Sequence, residues 1–291
     1  MGLTGLYTAM ITPFKDGAID VAALEAFVDW QINQGVHGLV PCGTTGESPT
    51  LSHEEHKKIV EITIKVAAGR VPVIAGTGSN ATAEAIDFTR HAEKAGASAA
   101  LVVAPYYNKP TPQGIIAHYS AIANQSALPI YVYNIPGRSV INITDATLQR
   151  LAEIPTIAGI KDATGDLARV ATLRHLIGDR LTLLSGEDMT AVGFNAMGGK
   201  GCISVVSNLM PKLCAKVQNL SLAGKVEDAR NLHAKTVALT SVMFCETNPI
   251  PVKYAAYLMG KCSDELRLPL VAPSPDAQAA IKAELTARHL I

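Results

Sequence analysis

Thr156-Ile157-Ala158-Gly159-Ile160-Lys161-Asp162-Ala163-Thr164-Gly165-Asp166 carries the grammar of the whole chain: an apolar run, a lysine at its carboxyl end, then a turn into a helix. A run this free of polar residues fits a parallel strand covered by helices on its outer face. The lysine is the anomaly. An ammonium costs several kcal/mol to bury unless it is paired or gives up its proton, and a neutral lysine attacks carbonyl carbons. Two plain alternatives stand beside that reading: Lys161 snorkels to solvent, or it pairs with Asp162.

The same grammar extends outward in both directions. Strands are expected at 6–11, 38–41, 71–75, 99–104, 129–133, 156–161, 181–185 and 202–206. Between them, Asp20, Ser52 and Thr144 read as helix N-caps, Pro112 as a first helical residue, and Gly35 and Gly96 as helix stops. Further helices are expected from Glu187 to Met197 and from Pro211 to Leu222. Eight strand–helix units over residues 1–224 predict a (β/α)8 TIM barrel, with a doubly wound open sheet as the alternative. Residues 225–291 read as a C-terminal helical extension, with segments near 225–243, 248–259 and 275–289. No linker rich in Gly, Ser or Pro separates the two parts, so the extension is expected to pack on the barrel.

Only 17% of the 291 residues are charged, 25 basic against 25 acidic. That balance speaks against a nucleic-acid or anionic-membrane partner, which would require a basic face. Cys42, Cys202, Cys214, Cys245 and Cys262 form no C-x-x-C pair and read as free thiols in a reducing compartment. The start Met1-Gly2-Leu3-Thr4-Gly5-Leu6 lacks a signal-peptide pattern, and no window approaches the ~18 apolar residues of a membrane span. A cytoplasmic protein is expected.

A TIM barrel holds its active site at the carboxyl ends of its strands, and the unusual residues fall there. Gly43-Thr44-Thr45-Gly46-Glu47-Ser48 follows the second strand, and Pro105-Tyr106-Tyr107-Asn108 the fourth. Tyr133-Asn134-Ile135-Pro136-Gly137-Arg138 ends the fifth, Lys161 the sixth, Ser185-Gly186-Glu187-Asp188 the seventh, and Ile203-Ser204 lies in the eighth. The set suits Schiff-base chemistry. A tyrosine linked through hydroxyls to solvent can shuttle protons, backbone N–H groups of a Gly-Thr-Thr-Gly turn can hold a small carboxylate, and an arginine fork can hold a second one. Read singly, each feature also has a plain explanation: a tight turn, two packing tyrosines, a surface charge.

Other motifs carry less. Gly76-Thr77-Gly78-Ser79-Asn80-Ala81 matches a relaxed dinucleotide fingerprint, but the next strand ends Val102-Val103-Ala104-Pro105 without the required acid. The Gly-rich stretch 193–201 misses the P-loop spacing. His53 and His56 lack a third metal ligand, so metal-dependent aldol chemistry has no support, and neither metal nor cofactor is expected.

Gly43-Thr44-Thr45-Gly46-Glu47-Ser48, Tyr133-Asn134-Ile135-Pro136-Gly137-Arg138 and Gly159-Ile160-Lys161-Asp162-Ala163-Thr164-Gly165 resemble the signatures of the dihydrodipicolinate synthase family. This family lies within the pyruvate-dependent class I aldolases, which include N-acetylneuraminate lyase. The likeness runs from Thr8-Ala9-Met10-Ile11-Thr12-Pro13-Phe14 to Asn248-Pro249-Ile250-Pro251-Val252-Lys253. It implies that Lys161 forms a Schiff base with pyruvate, whose enamine attacks L-aspartate 4-semialdehyde in the diaminopimelate route to lysine. It also implies a proton relay of Thr44, Tyr107 and Tyr133, with Tyr107 supplied by a neighbouring subunit of a homotetramer. Thr45 would hold the pyruvate carboxylate and Arg138 that of the semialdehyde, while Gly186 and Ile203 contribute backbone. Val140 departs from the glycine common at that position. Ser48, His53, His56, Asn80, Glu84 and Tyr106 match the family's site for L-lysine as a feedback inhibitor, with Pro49 beside them. A lyase of sugar-derived 2-oxo acids, or a catalytically inert paralogue, are the competing readings.

Overall fold

The computed structural model describes residues 2–291. Eight parallel strands build the barrel: β1 (Gly5–Ala9), β2 (Gly38–Val40), β3 (Ile74–Gly76), β4 (Ala99–Val103), β5 (Ile130–Asn134), β6 (Ile157–Asp162), β7 (Thr182–Ser185) and β8 (Gly201–Ser204). They hydrogen-bond in the order β2-β1-β8-β7-β6-β5-β4-β3. A parallel bridge between Leu39 and Val73 brings β2 to β3 and completes the circle. The open-sheet alternative is thereby excluded.

The helices between strands are α1 (Val21–Asn33), α2 (His53–Ala67), α3 (Thr82–Ala95), α4 (Pro112–Ala123), α5 (Asp145–Leu151), α6 (Leu167–Ile177), α7 (Ala191–Ala196) and α8 (Pro211–Leu222). Their starts follow local chemistry. Asp20 and Thr144 accept the N–H of Ala23 and Thr147, and Ser52 forms a full capping box with Glu55. Gly96 closes α3 in the left-handed region that glycine tolerates.

Two apolar layers result. Leu24, Ile59, Ile122 and Leu173 belong to the layer between strands and helices. Tyr7, Val40, Leu101, Tyr131, Tyr133, Leu184 and Ile203 belong to the packed barrel interior.

The first strand stops at Ala9, short of the expected Ile11, and the third starts at Ile74, not Val71. Three further corrections bear on the rim. The sixth strand runs one residue further, through Asp162. The seventh helix starts at Ala191, not Glu187, and the eighth strand stops at Ser204 before a 3-10 turn at Val206–Asn208. One carboxylate accounts for both of the latter. Buried Asp188 accepts from Ser204 Oγ at 2.5 Å and from the N–H of Val205 and Val206 at 2.8 and 3.2 Å. It draws the chain after β8 out of ladder geometry and holds its own segment outside a helix.

The C-terminal segment contains α9 (Val226–His233), α10 (Val237–Met243), α11 (Ile250–Leu258) and α12 (Pro275–Ala287). It packs on the barrel through polar bonds. His233 Nε2 lies 2.9 Å from the Asp188 carbonyl oxygen, and Arg267 forks onto Glu55 of α2 at 2.5 and 2.6 Å. No helix among the described residues is long and apolar enough to cross a membrane.

Candidate active site

Tyr133 and Lys161 are register partners on β5 and β6, and Leu184 of the barrel interior is the partner of Lys161 on β7. Side chains alternate along a strand, so this register turns Lys161 inward and Asp162 outward. Lys161 is 6% exposed and Tyr133 5%, and the lysine Nζ lies 4.0 Å from the centre of the Tyr133 ring. Both plain alternatives fail. The ammonium nitrogen does not snorkel into the open, and the Asp162 carboxylate is engaged elsewhere. It pairs with Arg169 at 3.0 Å and accepts from the N–H and hydroxyl of Thr164 at 2.9 and 2.5 Å. Among the described residues Lys161 forms no ion pair.

The stem of Lys161 needs room on its β7 side, and Gly186 supplies it. A β-carbon at 186 would stand 3.0 Å from Lys161 Cε and 2.8 Å from the Ala163 β-carbon. Ile203 on β8 is buried in the same interior.

The 43–48 loop is a compact turn. Gly46 N–H donates to the Gly43 carbonyl at 3.1 Å and Glu47 N–H to that of Thr44 at 3.2 Å. The N–H groups of Thr44 and Thr45 have no hydrogen-bond acceptor among the described residues, which leaves them available to an anion. Thr45 is buried, and its hydroxyl oxygen accepts from Asn248 Nδ2 at 3.1 Å. Arg138 follows β5 on the helical turn Pro136–Ser139. It is exposed and donates one N–H to the Asn248 carbonyl at 2.7 Å, leaving the rest of its fork free.

Tyr107 stands apart. It is 88% exposed, with its backbone at φ +69° in the left-handed region that non-glycine residues seldom adopt. Its ring is held away from its own barrel rather than packed on it.

A cleft of about 680 Å³ opens beside the rim, lined by Thr44, Arg138 and Val103, the register partner of Tyr133. Ser48, His53, His56, Glu84 and Tyr106 line it too, so five of the six candidate effector residues share one cavity with the rim. The sixth, Asn80, is not among the lining residues, and its carbonyl accepts from Asn108 at 2.8 Å. His53 Nε2 lies 2.5 Å from Glu84 Oε1. His56 stacks on Phe88 with ring centres 4.0 Å apart, and burial pushes its pKa down to about 4.

Sequence reasoning gave no role to Glu47, Asn248, Lys253 and Arg267. Glu47 and Lys253 are fully buried and form an ion pair of 2.5 Å between the 43–48 loop and α11. Arg267 N–H adds a bond to Glu47 at 3.1 Å. The available signal was a lysine within the apolar pattern of α11, the same kind of anomaly that singled out Lys161.

A (β/α)8 barrel with an unpaired lysine buried beside a tyrosine, and a turn with two free N–H groups at the same rim, is the architecture of a barrel enzyme. The chain belongs to the dihydrodipicolinate synthetase family, whose family model matches residues 2–288. It is 53% identical over 287 residues to a 4-hydroxy-tetrahydrodipicolinate synthase of Parvibaculum lavamentivorans, covering 99% of both chains. Its fold matches the dihydrodipicolinate synthase of Acinetobacter baumannii, solved with pyruvate, at TM-score 0.97 and 43% identity, over 99% of this chain and 100% of that one. It also matches the enzyme of Cyanidioschyzon merolae, solved with lysine bound, at TM-score 0.96 and 36% identity, over 99% of each.

Proposed function

We propose that this chain condenses pyruvate with L-aspartate 4-semialdehyde to give 4-hydroxy-tetrahydrodipicolinate, with Lys161 as the nucleophile. The observation that carries this reading is the inward, unpaired Lys161 with its nitrogen over Tyr133. In its neutral form the amine adds to the pyruvate ketone, and loss of water leaves an imine. Removal of a methyl proton gives the enamine, whose carbon attacks the aldehyde. The semialdehyde's own amine then closes the ring on the imine carbon and expels Lys161, so no redox partner is needed.

In this scheme the free N–H groups of Thr44 and Thr45 hold the pyruvate carboxylate, and Arg138 takes the semialdehyde carboxylate bidentately. Tyr133, Thr44 and Tyr107 move protons between the imine and solvent. Tyr107 would act in a neighbouring copy, a reading supported by its exposure. Gly186 and Ile203 shape the pocket around the lysine stem. A homotetramer built from two dimers, working in the cytoplasm without a cofactor, is the assembly we infer.

Feedback inhibition by L-lysine belongs to the same proposal. The cleft offers Glu84 to an ammonium group and polar atoms of Ser48, His53 and Tyr106 to the rest of an amino acid, and it reaches Thr44 directly.

Semialdehyde consumption followed through a dihydrodipicolinate reductase tests the reaction. Product formation that requires both substrates is expected, and pyruvate turnover with sugar-derived aldehydes instead would favour the lyase reading. Titration with millimolar lysine at saturating pyruvate tests the regulation, and unchanged activity would remove it.

A further inference from the structure

Asn248 sits in the connection between α10 and α11, 203 positions from Thr45 in the sequence, yet it touches both groups assigned above to carboxylates. Its side-chain amide donates to Thr45 Oγ1 at 3.1 Å, and its backbone carbonyl accepts from Arg138 at 2.7 Å. The residue is 7% exposed and lines the cleft, and its Oδ1 has no partner among the described residues.

We propose that Asn248 is a positioning residue for substrate binding, which sets Thr45 as a hydrogen-bond donor and fixes the reach of Arg138. The inference rests on the reading that Thr45 and Arg138 hold the two substrate carboxylates. A hydroxyl has one hydrogen to give and two lone pairs to receive with. When the Asn248 N–H occupies a lone pair of Thr45 Oγ1, the threonine hydrogen is left to point elsewhere, and a carboxylate accepts it. An acceptor at the same place would draw that hydrogen away from the substrate. The polarity of one amide thus decides whether Thr45 offers a hydrogen or a lone pair.

Its backbone contact acts on Arg138 in parallel. Arginine carries five N–H donors in a rigid plane, and one of them is spent on the Asn248 carbonyl. The guanidinium is thereby tethered at one corner while its remaining donors stay open to the cleft. The tether is firm because the segment is held on its far side. Ile250 N–H donates to the Thr247 carbonyl at 2.9 Å, and Lys253 one turn later is locked to Glu47. The loop of the second strand and the turn of the fifth are therefore set relative to each other through a third element.

Three variants read the amide. Asn248→Asp keeps the shape but presents only acceptors, Asn248→Leu keeps the bulk without polarity, and Asn248→Ser is too short to reach Thr45 and serves if a larger change disturbs folding. In Asn248→Asp, where an acceptor draws the threonine hydrogen from the carboxylate, loss of a hydrogen bond to a charged group predicts that the KM for pyruvate rises on the order of tenfold or more. Asn248→Leu and Asn248→Ser only release the hydroxyl and should raise it less, about three- to tenfold, while kcat falls far less in all three. In the background of Thr45→Val the same Asn248→Leu change should add no more than about twofold, because its route of action is already gone.

A merely structural role would lower kcat and raise KM independently of Thr45, and multiplicative losses in the double variant overturn the inference. So does an unchanged pyruvate KM in folded Asn248→Leu or Asn248→Ser. Pyruvate-dependent borohydride trapping of the unaltered enzyme separates the two levels. If it fails, the Schiff-base reading itself is at fault. If it succeeds with the same half-saturating pyruvate in wild type and variant, only the role of Asn248 falls.

Discussion

Replacing Lys253 with methionine removes half of a pair sealed from bulk solvent. Lys253 and Glu47 are both fully buried at 2.5 Å, with Lys253 Nζ also 4.0 Å over the Phe14 ring. Burial pulls the pKa of Lys253 below the usual lysine value, and the Glu47 carboxylate opposes that shift. Methionine fills the space but leaves a carboxylate whose remaining donor is the Arg267 N–H. Breaking a buried pair in this way costs about 3–5 kcal/mol. An unfolding entropy near 2.1 cal/mol/K per residue gives roughly 0.6 kcal/mol/K for a chain of this length, so Tm should fall by about 5–8 °C. The double variant Glu47→Gln with Lys253→Met leaves no orphaned charge and should recover most of the loss. Thermal melts of the two variants and the parent form the assay, with pyruvate affinity measured alongside because the same loop carries Thr44 and Thr45. The reasoning fails if Lys253→Met alone melts within about 1 °C of the parent, or if the double variant is no better than the single one.

Acid should weaken the fold through buried histidines. His56 has a folded pKa of about 4 against 6.5 when free, so the unfolded chain takes up its proton first as the pH falls. Its stabilising share, roughly 3 kcal/mol, is intact above pH ~6.5 and is lost towards pH 4. His118 acts in the same direction. Urea titrations across that range should show the slope, and His56→Phe, which keeps a stack on Phe88, should flatten it; an identical slope would refute the assignment. Gly186→Ala should cut turnover on the order of 10- to 100-fold, since the added carbon displaces the lysine stem. A variant with parental kcat would show that the stem has slack. Arg138→Ala should lower kcat/KM for the semialdehyde about 10- to 100-fold while pyruvate trapping at Lys161 persists; equal loss for both substrates would move Arg138 out of the second carboxylate site.

The barrel was readable because its signals are local. Asp20, Ser52 and Thr144 cap helices from within three residues, Gly96 stops α3, and Pro211–Leu222 is helical over the span its pattern indicates. Lys161 was readable for the same reason: a charged residue in an apolar run is visible without knowing what lies across from it. What escaped is long-range. Asp162 looks like the natural partner of Lys161 until strand alternation sends it to the opposite face and Arg169 takes it. Glu47 and Lys253 lie 206 positions apart, and Asn248 and Thr45 lie 203 apart. Neither pair leaves a trace in periodicity. The ends of β8 and α7 were misjudged because one side chain, Asp188, outcompetes the backbone there.

The central claim is that Lys161 captures pyruvate, and borohydride reduction followed by peptide mapping tests it most directly. Incubation with pyruvate and borohydride should inactivate the enzyme and place a reduced pyruvyl group on the peptide containing Lys161, at no other lysine, and not in Lys161→Arg. Full activity after that treatment, or a label on Lys253 or a surface lysine with Lys161 unmodified, would contradict the account.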